Sequence, residues 1–207
     1  MNREVRYLTD DSLLLRTSTE DGITGPILDG YAATFGKPFD IGDDVFGWSE
    51  IVDAKAFDRA LSEQQDVRLL VNHDGLPLAR TASGTLTLST DRRGLAIRST
   101  LDATDPDVQA IMPKMKRGDL NQMSIAFSVR TEEWTAPTRT KRATRTILDA
   151  DLYDVSLVTY PANPATSAQL RSVVPAEVVE AFRRVTVPPR GGNVRQLRRR
   201  LDLAAIS

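Results

Sequence analysis

The segment Asn121-Gln-Met-Ser-Ile-Ala-Phe-Ser-Val129 indicates the fold class, because its residues alternate in the way that a β-strand requires. The alternation puts large apolar side chains on one face and smaller ones, Ser124 and Ser128 among them, on the other. Comparable runs rich in valine, leucine, isoleucine and threonine lie at 30–35, 45–52, 67–71, 84–90, 94–101 and 151–159. The sequence therefore predicts a mainly β domain.

A hairpin and two helices accompany the predicted strands. The hairpin lies within 86–98, and Gly94 is expected to supply a positive φ near its turn. Apolar residues recur at helical spacing within 53–64, and a second helix is predicted within 105–118. Pro113 is expected to kink or shorten the second helix, because proline lacks the amide donor. The predicted class is α+β, with helices around a β core.

The character of the chain changes near residue 172, where strands give way to polar, arginine-rich helices. We expect a domain over 1–172, with its core at 28–165, and a C-terminal tail over 173–207. Helices are predicted in the tail at 175–185 and 193–205. The apolar stripe of the second tail helix suits docking on a partner surface or packing on its own domain, and the sequence leaves both open.

Composition excludes several classes of function. The 207 residues include no cysteine and one histidine, which excludes disulfide scaffolds, cysteine nucleophiles and zinc sites that need a thiolate or two imidazoles. A metal site of carboxylates alone stays open on composition, but the acidic run 40–44 lacks the spacing of a calcium loop and is predicted to be a surface turn. No apolar run approaches the roughly 20 residues of a membrane span, so we expect a soluble cytoplasmic protein with no membrane partner.

Three residues on three predicted strands carry candidate chemistry. His73 ends an apolar run just before an Asp-Gly turn, where the only imidazole of the chain can stay within reach of a substrate. Ser124 lies on a small-residue face with room for a peptide. Asp154 lies inside an apolar strand, where a carboxylate is costly unless His73 or an arginine pairs with it. Each residue also has a structural explanation: His73 as a structural histidine, Ser124 as a solvated serine and Asp154 as a partner in a salt bridge. The residues alone leave the catalytic and the structural explanations open.

Four motifs occur in the order Gly30-Tyr-Ala-Ala-Thr-Phe35, Asn72-His73, Met123-Ser-Ile-Ala-Phe127 and Asp154-Val-Ser-Leu-Val-Thr-Tyr-Pro-Ala-Asn163. In this order they resemble the prohead, or capsid maturation, proteases of tailed phages of the HK97 type, which are assemblin-like serine proteases. The resemblance covers 30–165 and implies a closed antiparallel β-barrel ringed by helices, like that of the herpesvirus assemblin proteases. It also implies that Ser124 and His73 match the catalytic pair of the family.

The third catalytic residue needs a separate argument, because the herpesvirus proteases use a second histidine and this chain has only one. A carboxylate must take that role if any residue does. The matching strand offers Asp154, with Asp151 and Asp149 as alternatives. His73 would then accept the Ser124 proton during attack on a peptide carbonyl, and Asp154 would orient the imidazole.

The function that the resemblance implies is that of a serine endopeptidase without a cofactor or metal. It would cleave the scaffolding segment of the major capsid protein, and itself near either end of the chain, inside the assembling prohead in the host cytoplasm. Homodimer formation stays open. Two other classes also stay open: a catalytically inactive capsid-assembly or scaffolding module of the same fold, and a β-barrel that binds nucleic acid through its arginine-rich tail. The acidic barrel portion disfavours the latter, so no nucleic-acid partner is expected.

Overall fold

The predicted order of strands and helices is present in the computed structural model, which describes residues 3–8, 14–20, 23–42, 47–159 and 174–185. Within these ranges the elements are β1 (Glu4–Leu8), β2 (Leu14–Glu20), β3 (Ile23–Thr34), β4 (Phe39–Gly42), β5 (Gly47–Val52), α1 (Asp58–Ser62), β6 (Arg68–Val71), β7 (Asp74–Arg80), β8 (Leu86–Thr90), β9 (Gly94–Thr100), α2 (Pro106–Lys116), β10 (Gln122–Thr135), β11 (Ala143–Val158) and α3 (Ala176–Val185). Every run predicted as a strand overlaps one of these strands. β1, β2, β4 and β7 were not predicted.

The chain divides into two compact units. The first comprises Met1–Gly36, Val52–Thr131 and Leu148–Ala162, and the second comprises Lys37–Ile51, Glu132–Ile147 and Asn163–Ser207. β10 and β11 are long enough that each contributes residues to both units. All three candidate catalytic residues belong to the first unit.

Two groups of hydrogen-bonded strands build the first unit. One has the order β1-β10-β11-β6-β7, and the other has the order β2-β3-β9-β8. β6 pairs with β11 in parallel, with Arg68 beside Asp154 and Val71 beside Leu157. The closed antiparallel barrel implied by the resemblance is therefore not confirmed in the described residues, where the strands form two sheets and one pair is parallel. The mainly β class with accompanying helices is confirmed.

The apolar faces of β10 and β11 are buried in the first unit. Ile125, Phe127, Val155 and Leu157 each have at most 1% of their surface exposed. Burying a side chain of this kind contributes about 1.5–3 kcal/mol to the stability of the fold. The same alternation that buries these residues fixes the positions of the polar residues between them.

The predicted hairpin forms between β8 and β9, with Leu88 opposite Ile97. The expected role of Gly94 was wrong, because its φ is not positive. Gly94 pairs with Thr34 on β3, and a Cβ atom at this position would lie 1.9 Å from the carbonyl oxygen of Ala33. Glycine is needed here because two strands approach closely.

Both predicted helices of the first unit form, although α1 is shorter than the predicted segment. α2 begins after Asp105, whose carboxylate accepts a hydrogen bond from the amide of Asp107 at 2.8 Å. The helix continues through Pro113 to Lys116, so proline does not end it. Gly118 follows with a φ of +80°, which is the left-handed conformation that glycine commonly adopts after a helix.

The second unit contains β4, most of β5, the adjoining ends of β10 and β11, and α3. Its core joins residues from these elements, namely Ile41, Trp48, Ala143, Val174, Val178, Val179 and Phe182. The helix predicted at 175–185 is therefore confirmed as α3 and packs through its apolar side. The acidic turn predicted at 40–44 was wrong in part, because β4 continues to Gly42 and Ile41 is buried.

Two further predictions lie outside the described residues. These are the domain boundary near residue 172 and the helix at 193–205, and both stay predictions. Within the described part of the chain, no helix combines the length and apolar character needed to cross a membrane.

Candidate active site

Ser124 lies near the start of β10, where β1 pairs with that strand in antiparallel register and Tyr7 lies opposite Ser124. The Ser124 hydroxyl donates a hydrogen bond to the carbonyl oxygen of Arg6 at 2.9 Å, and its oxygen lies 2.6 Å from Nε2 of His73. Neither Ser124 nor its neighbour on the same face, Ala126, has exposed surface. The prediction that Ser124 lies on a face with room for a peptide is therefore wrong for this structure.

His73 lies in a two-residue turn between β6 and β7. Val71 pairs with Asp74 across the turn, and both Asn72 and His73 have positive φ, of 54° and 60°. Two such residues in succession characterise a type I′ turn, whose twist matches the twist of the strands that it joins. The turn was predicted at Asp74-Gly75 and in fact lies two residues earlier, so the imidazole stands at the tip of the hairpin.

Asn72 attaches this turn to β11. Its backbone amide donates a hydrogen bond to the carbonyl oxygen of Leu157 at 2.8 Å. Its side-chain oxygen accepts hydrogen bonds from the amide and the hydroxyl of Thr159, at 3.0 and 3.2 Å. Because β11 carries Asp154, these contacts bring the imidazole of His73 next to that carboxylate. The sequence assigned Asn72 no role, although asparagine is one of the residues that best tolerate a positive φ.

The carboxylate of Asp154 contacts the side of the imidazole that faces away from Ser124. Its Oδ1 lies 2.6 Å from Nδ1 of His73. The Ser156 hydroxyl donates to the same Oδ1 at 2.8 Å and lies 3.2 Å from Nδ1. The structure thus brings the three predicted residues together. The sequence missed Ser156, but the alternation along β11 places it on the face of Asp154, and that was the available signal.

Asp154 is only 2% exposed, and its charge is stabilised by several partners. Burial raises the pKa of Asp154, but the hydrogen bonds from His73 and Ser156 and the nearby charges of His73 and Arg3 outweigh burial and hold the pKa below its usual value. Arg3, which precedes β1, forms an ion pair with Oδ2. The sequence offered His73 or an arginine as the partner of this carboxylate, and the structure has both.

Ser124, His73 and Asp154 lie within the part of the chain that matches a known family. The sequence model of the caudovirus prohead serine proteases matches residues 13–180. The chain belongs to this family. It is therefore a serine protease of capsid maturation, and the resemblance seen in the sequence is confirmed for the family as a whole.

One solved structure that resembles the protease is that of the bacteriophage T4 capsid assembly protease. The two chains share 10% sequence identity with a TM-score of 0.47, over 75% of this chain and 96% of that chain. No curated protein matches the protease.

The two alternative carboxylates of the protease are engaged with other partners. Asp151 accepts hydrogen bonds from Arg59, Gln65 and Arg130 at 2.7–2.8 Å. Burial raises the pKa of Asp151, but these three donors outweigh it and lower the pKa to about 2. Asp149 accepts from Nε of Arg59 at 2.9 Å. Asp154 contacts the imidazole, whereas these two carboxylates have structural ion pairs.

Ser128 provides an internal comparison for Ser124. Both lie on the same face of β10, and both are buried. The Ser128 hydroxyl lies 2.9 Å from the hydroxyl of Tyr153. The two serines therefore share the same strand, the same face and the same burial. The contact with His73 distinguishes Ser124 from Ser128.

Proposed function

We propose that Ser124, His73 and Asp154 are the catalytic triad of this protease, acting as nucleophile, general base and orienting carboxylate. The observation that carries the proposal is the continuous chain of contacts through the imidazole, with 2.6 Å to Ser124 on one side and 2.6 Å to Asp154 on the other. Heavy-atom distances near this value allow direct proton transfer between a hydroxyl and an imidazole. In this assemblin-like arrangement, Asp154 takes the place of the second histidine of the herpesvirus proteases.

The mechanism follows from the groups that each ring nitrogen faces. Nδ1 of His73 donates its proton to the ionised Asp154, so Nε2 carries the lone pair that faces Ser124. The Ser124 hydroxyl turns from the carbonyl oxygen of Arg6 toward Nε2, and its proton passes to Nε2 as Oγ bonds to the carbonyl carbon of a peptide. The lowered pKa of Asp154 keeps its carboxylate charged beside the imidazolium that forms. The imidazolium then protonates the leaving amine as the C–N bond breaks, and water hydrolyses the acyl-enzyme by the same route.

The substrates that we propose are the scaffolding segment of the major capsid protein and the protease itself, cleaved within the assembling prohead in the host cytoplasm. Membership of a family of prohead serine proteases supports this choice, since a protease of the prohead acts among the proteins that form it.

The test is co-expression of this chain with the major capsid protein of the same phage, followed by intact mass measurement. Wild type, Ser124→Ala and Ser128→Ala are compared, because Ser128 matches Ser124 in strand, face and burial. We expect wild type and Ser128→Ala to trim the capsid protein and Ser124→Ala to leave it intact. Trimming by Ser124→Ala would show that the nucleophile is another residue. Absence of trimming by all three would favour an inactive assembly module.

A further inference from the structure

The hairpin that carries the imidazole has an irregular second strand. Val71 pairs with Asp74 and Leu69 pairs with Ala79, so two steps along β6 correspond to five steps along β7. The additional residues of β7 lie within 75–78, which we call the β7 bulge, directly after the turn that holds the imidazole. Bulges are over-represented next to active sites, where they re-aim a side chain. The β7 bulge therefore has a position from which it can act on the reaction.

The β7 bulge exposes an apolar side chain. In the described part of the chain, Leu76 at 78% and Tyr153 at 38% are the exposed large apolar residues. A single exposed leucine is common on protein surfaces, so the position of Leu76 in the bulge is the informative feature. Gly75 precedes it with a φ of +80°, and a Cβ atom there would meet no neighbour within 4 Å. Glycine thus serves the backbone conformation of the bulge and not close packing.

The β7 bulge can contact a partner through this side chain better than through its backbone. Among the described strands, β7 pairs with β6 alone, so β7 ends the sheet on this side. Pro77 lies in the bulge and has no amide donor, which disfavours pairing with a further strand. The contact that the bulge offers is consequently the side chain of Leu76.

The chemistry of the site indicates which partner reaches the β7 bulge. Leu76 follows His73 by three residues, so their Cα atoms lie within about 11 Å of each other. The side chain of His73 is 12% exposed and that of Asp154 is 2% exposed, so solvent reaches the imidazole from the tip of the hairpin. The imidazolium protonates the leaving amine, so the substrate residues that follow the cleaved bond pass close to it. Those residues are the ones that come nearest to Leu76.

We propose that Leu76 is a specificity-determining residue, which contacts an apolar side chain of the substrate in the segment that follows the cleaved bond. The inference rests on the proposed function and deepens it, because it uses the role of His73 as the acid for the leaving amine. The leaving segment departs once the C–N bond has broken. The contact therefore favours formation of the acyl-enzyme and takes no part in its hydrolysis.

Three substitutions of Leu76 test the proposal in the full chain. Leu76→Ala truncates the side chain, Leu76→Asp replaces it by a charge, and Leu76→Met keeps an apolar contact. Leu88→Ala is the matched control, because Leu88 is a partly exposed leucine on β8, the end strand of the other sheet. One readout is kcat/KM for cleavage of the major capsid protein of the same phage. The other is intact-mass labelling by a fluorophosphonate, which reacts with activated serines and has no peptide segment after the bond that breaks.

We expect Leu76→Ala to lower kcat/KM about tenfold and Leu76→Asp to lower it further, because apolar contacts of this size discriminate between substrates by about 10- to 200-fold. Leu76→Met and Leu88→Ala are expected to stay near wild type. The labelling rate of Ser124 and the melting temperature should be unchanged in all four variants, since the reagent lacks the segment that Leu76 contacts.

Several results would overturn the proposal. One is cleavage at the wild-type rate by folded Leu76→Asp, and another is an equal loss in Leu88→Ala. Labelling that slows as much as cleavage would mean that Leu76 acts on the triad and not on the substrate. A wild-type oligomer that Leu76→Asp dissociates would assign the β7 bulge to a contact between copies of the chain.

The labelling data separate this inference from the proposed function. Labelling of wild type but not of Ser124→Ala establishes the nucleophile, so unchanged cleavage by the Leu76 variants would then count against the β7 bulge alone. Wild type that neither labels nor cleaves would overturn the proposed function and this inference together.

Peptides that span a mapped capsid cleavage site assign the contact to one side of the cut. Each residue of the peptide is replaced in turn by alanine, and wild type and Leu76→Ala are compared on every peptide. Residues in contact share an interaction energy, so we expect the losses to be non-additive for an apolar residue after the cut and additive for residues before it. Additive losses at every position, or non-additive losses only before the cut, would contradict the proposal.

Discussion

Replacing Asp154 by asparagine tests how the imidazole of His73 is held. The carboxylate has two acceptor oxygens, and Oδ1 faces His73 and Ser156 while Oδ2 faces Arg3. An asparagine has only one acceptor oxygen, which the guanidinium of Arg3 attracts. The amide nitrogen then faces Nδ1 of His73 and donates to it. The ring proton consequently moves to Nε2, which can no longer accept the proton of Ser124.

The magnitude of the effect follows from charge and tautomer together. A carboxylate and an imidazolium whose charges lie about 4 Å apart attract each other by about 4 kcal/mol at an effective dielectric constant of 20. Loss of that attraction in the transition state corresponds to roughly a 10³-fold lower rate. The same change in a Ser-His-Asp protease, where the wrong tautomer also contributes, lowers kcat about 10⁴-fold. We therefore expect Asp154→Asn to lower kcat by roughly 10³ to 10⁴ with little change in KM.

The assay is the initial rate of capsid-protein cleavage, measured by intact mass, with thermal melting to verify folding. Asp149→Asn is the matched control, because it removes a carboxylate from the same strand whose partner is Arg59. The side chain of Arg59 is 28% exposed, and ion pairs of this kind contribute about 1 kcal/mol or less, so the control is expected to stay near the wild-type rate. A folded Asp154→Asn protein within tenfold of wild type would refute the reasoning, as would an equal loss in Asp149→Asn.

Three further predictions concern other contacts. Ser156→Ala removes the hydrogen bond to Oδ1 of Asp154 that helps to hold this carboxylate beside His73, so kcat/KM should fall about tenfold while the melting temperature stays near that of wild type; an unchanged kcat/KM would contradict a positioning role for Ser156. Gly94→Ala places a Cβ atom 1.9 Å from the carbonyl oxygen of Ala33 and should lower the free energy of unfolding in urea by at least about 1–3 kcal/mol, whereas a change below about 0.5 kcal/mol would mean that the strands separate easily. The pKa of Asp151 is lowered from 3.8 to about 2 on folding, so its contribution of about 2 kcal/mol is present above pH 4 and is lost as the pH falls toward 2; denaturation of Asp151→Asn should show a smaller loss over that range, and an unchanged loss would contradict the assignment.

The strand content of the protease could be read from the sequence because alternation is a local property. Each predicted strand depended on a few consecutive residues, and the apolar faces of β10 and β11 are buried as their alternation requires. β1 was missed because its five residues mix charged and apolar side chains and are too few to give a clear pattern. β4 was missed because its sequence is rich in residues that also favour turns.

The sequence also named the residues of the candidate site, but for a different reason. Ser124, His73 and Asp154 stood out because their order resembles that of a known family, and because a chain with one histidine offers one imidazole base. Individually, each of these residues also had a structural explanation. The approach of His73 to within 2.6 Å of both Ser124 and Asp154 depends on the turn at Asn72 and on the parallel pairing of β6 with β11.

By itself, then, the sequence determined the β-rich class, the position of most strands and helices, the exclusion of cysteine chemistry and the identity of the candidate triad. Only the tertiary structure decided that Ser124 is buried and donates to the carbonyl oxygen of Arg6, that Arg3 is the second partner of Asp154, and that Gly94 is needed for a close approach of strands. Arg6 and Ser124 are 118 residues apart, and Arg3 and Asp154 are 151 apart. Contacts over such distances depend on the pairing partner and register of whole strands, which no local pattern of side chains specifies.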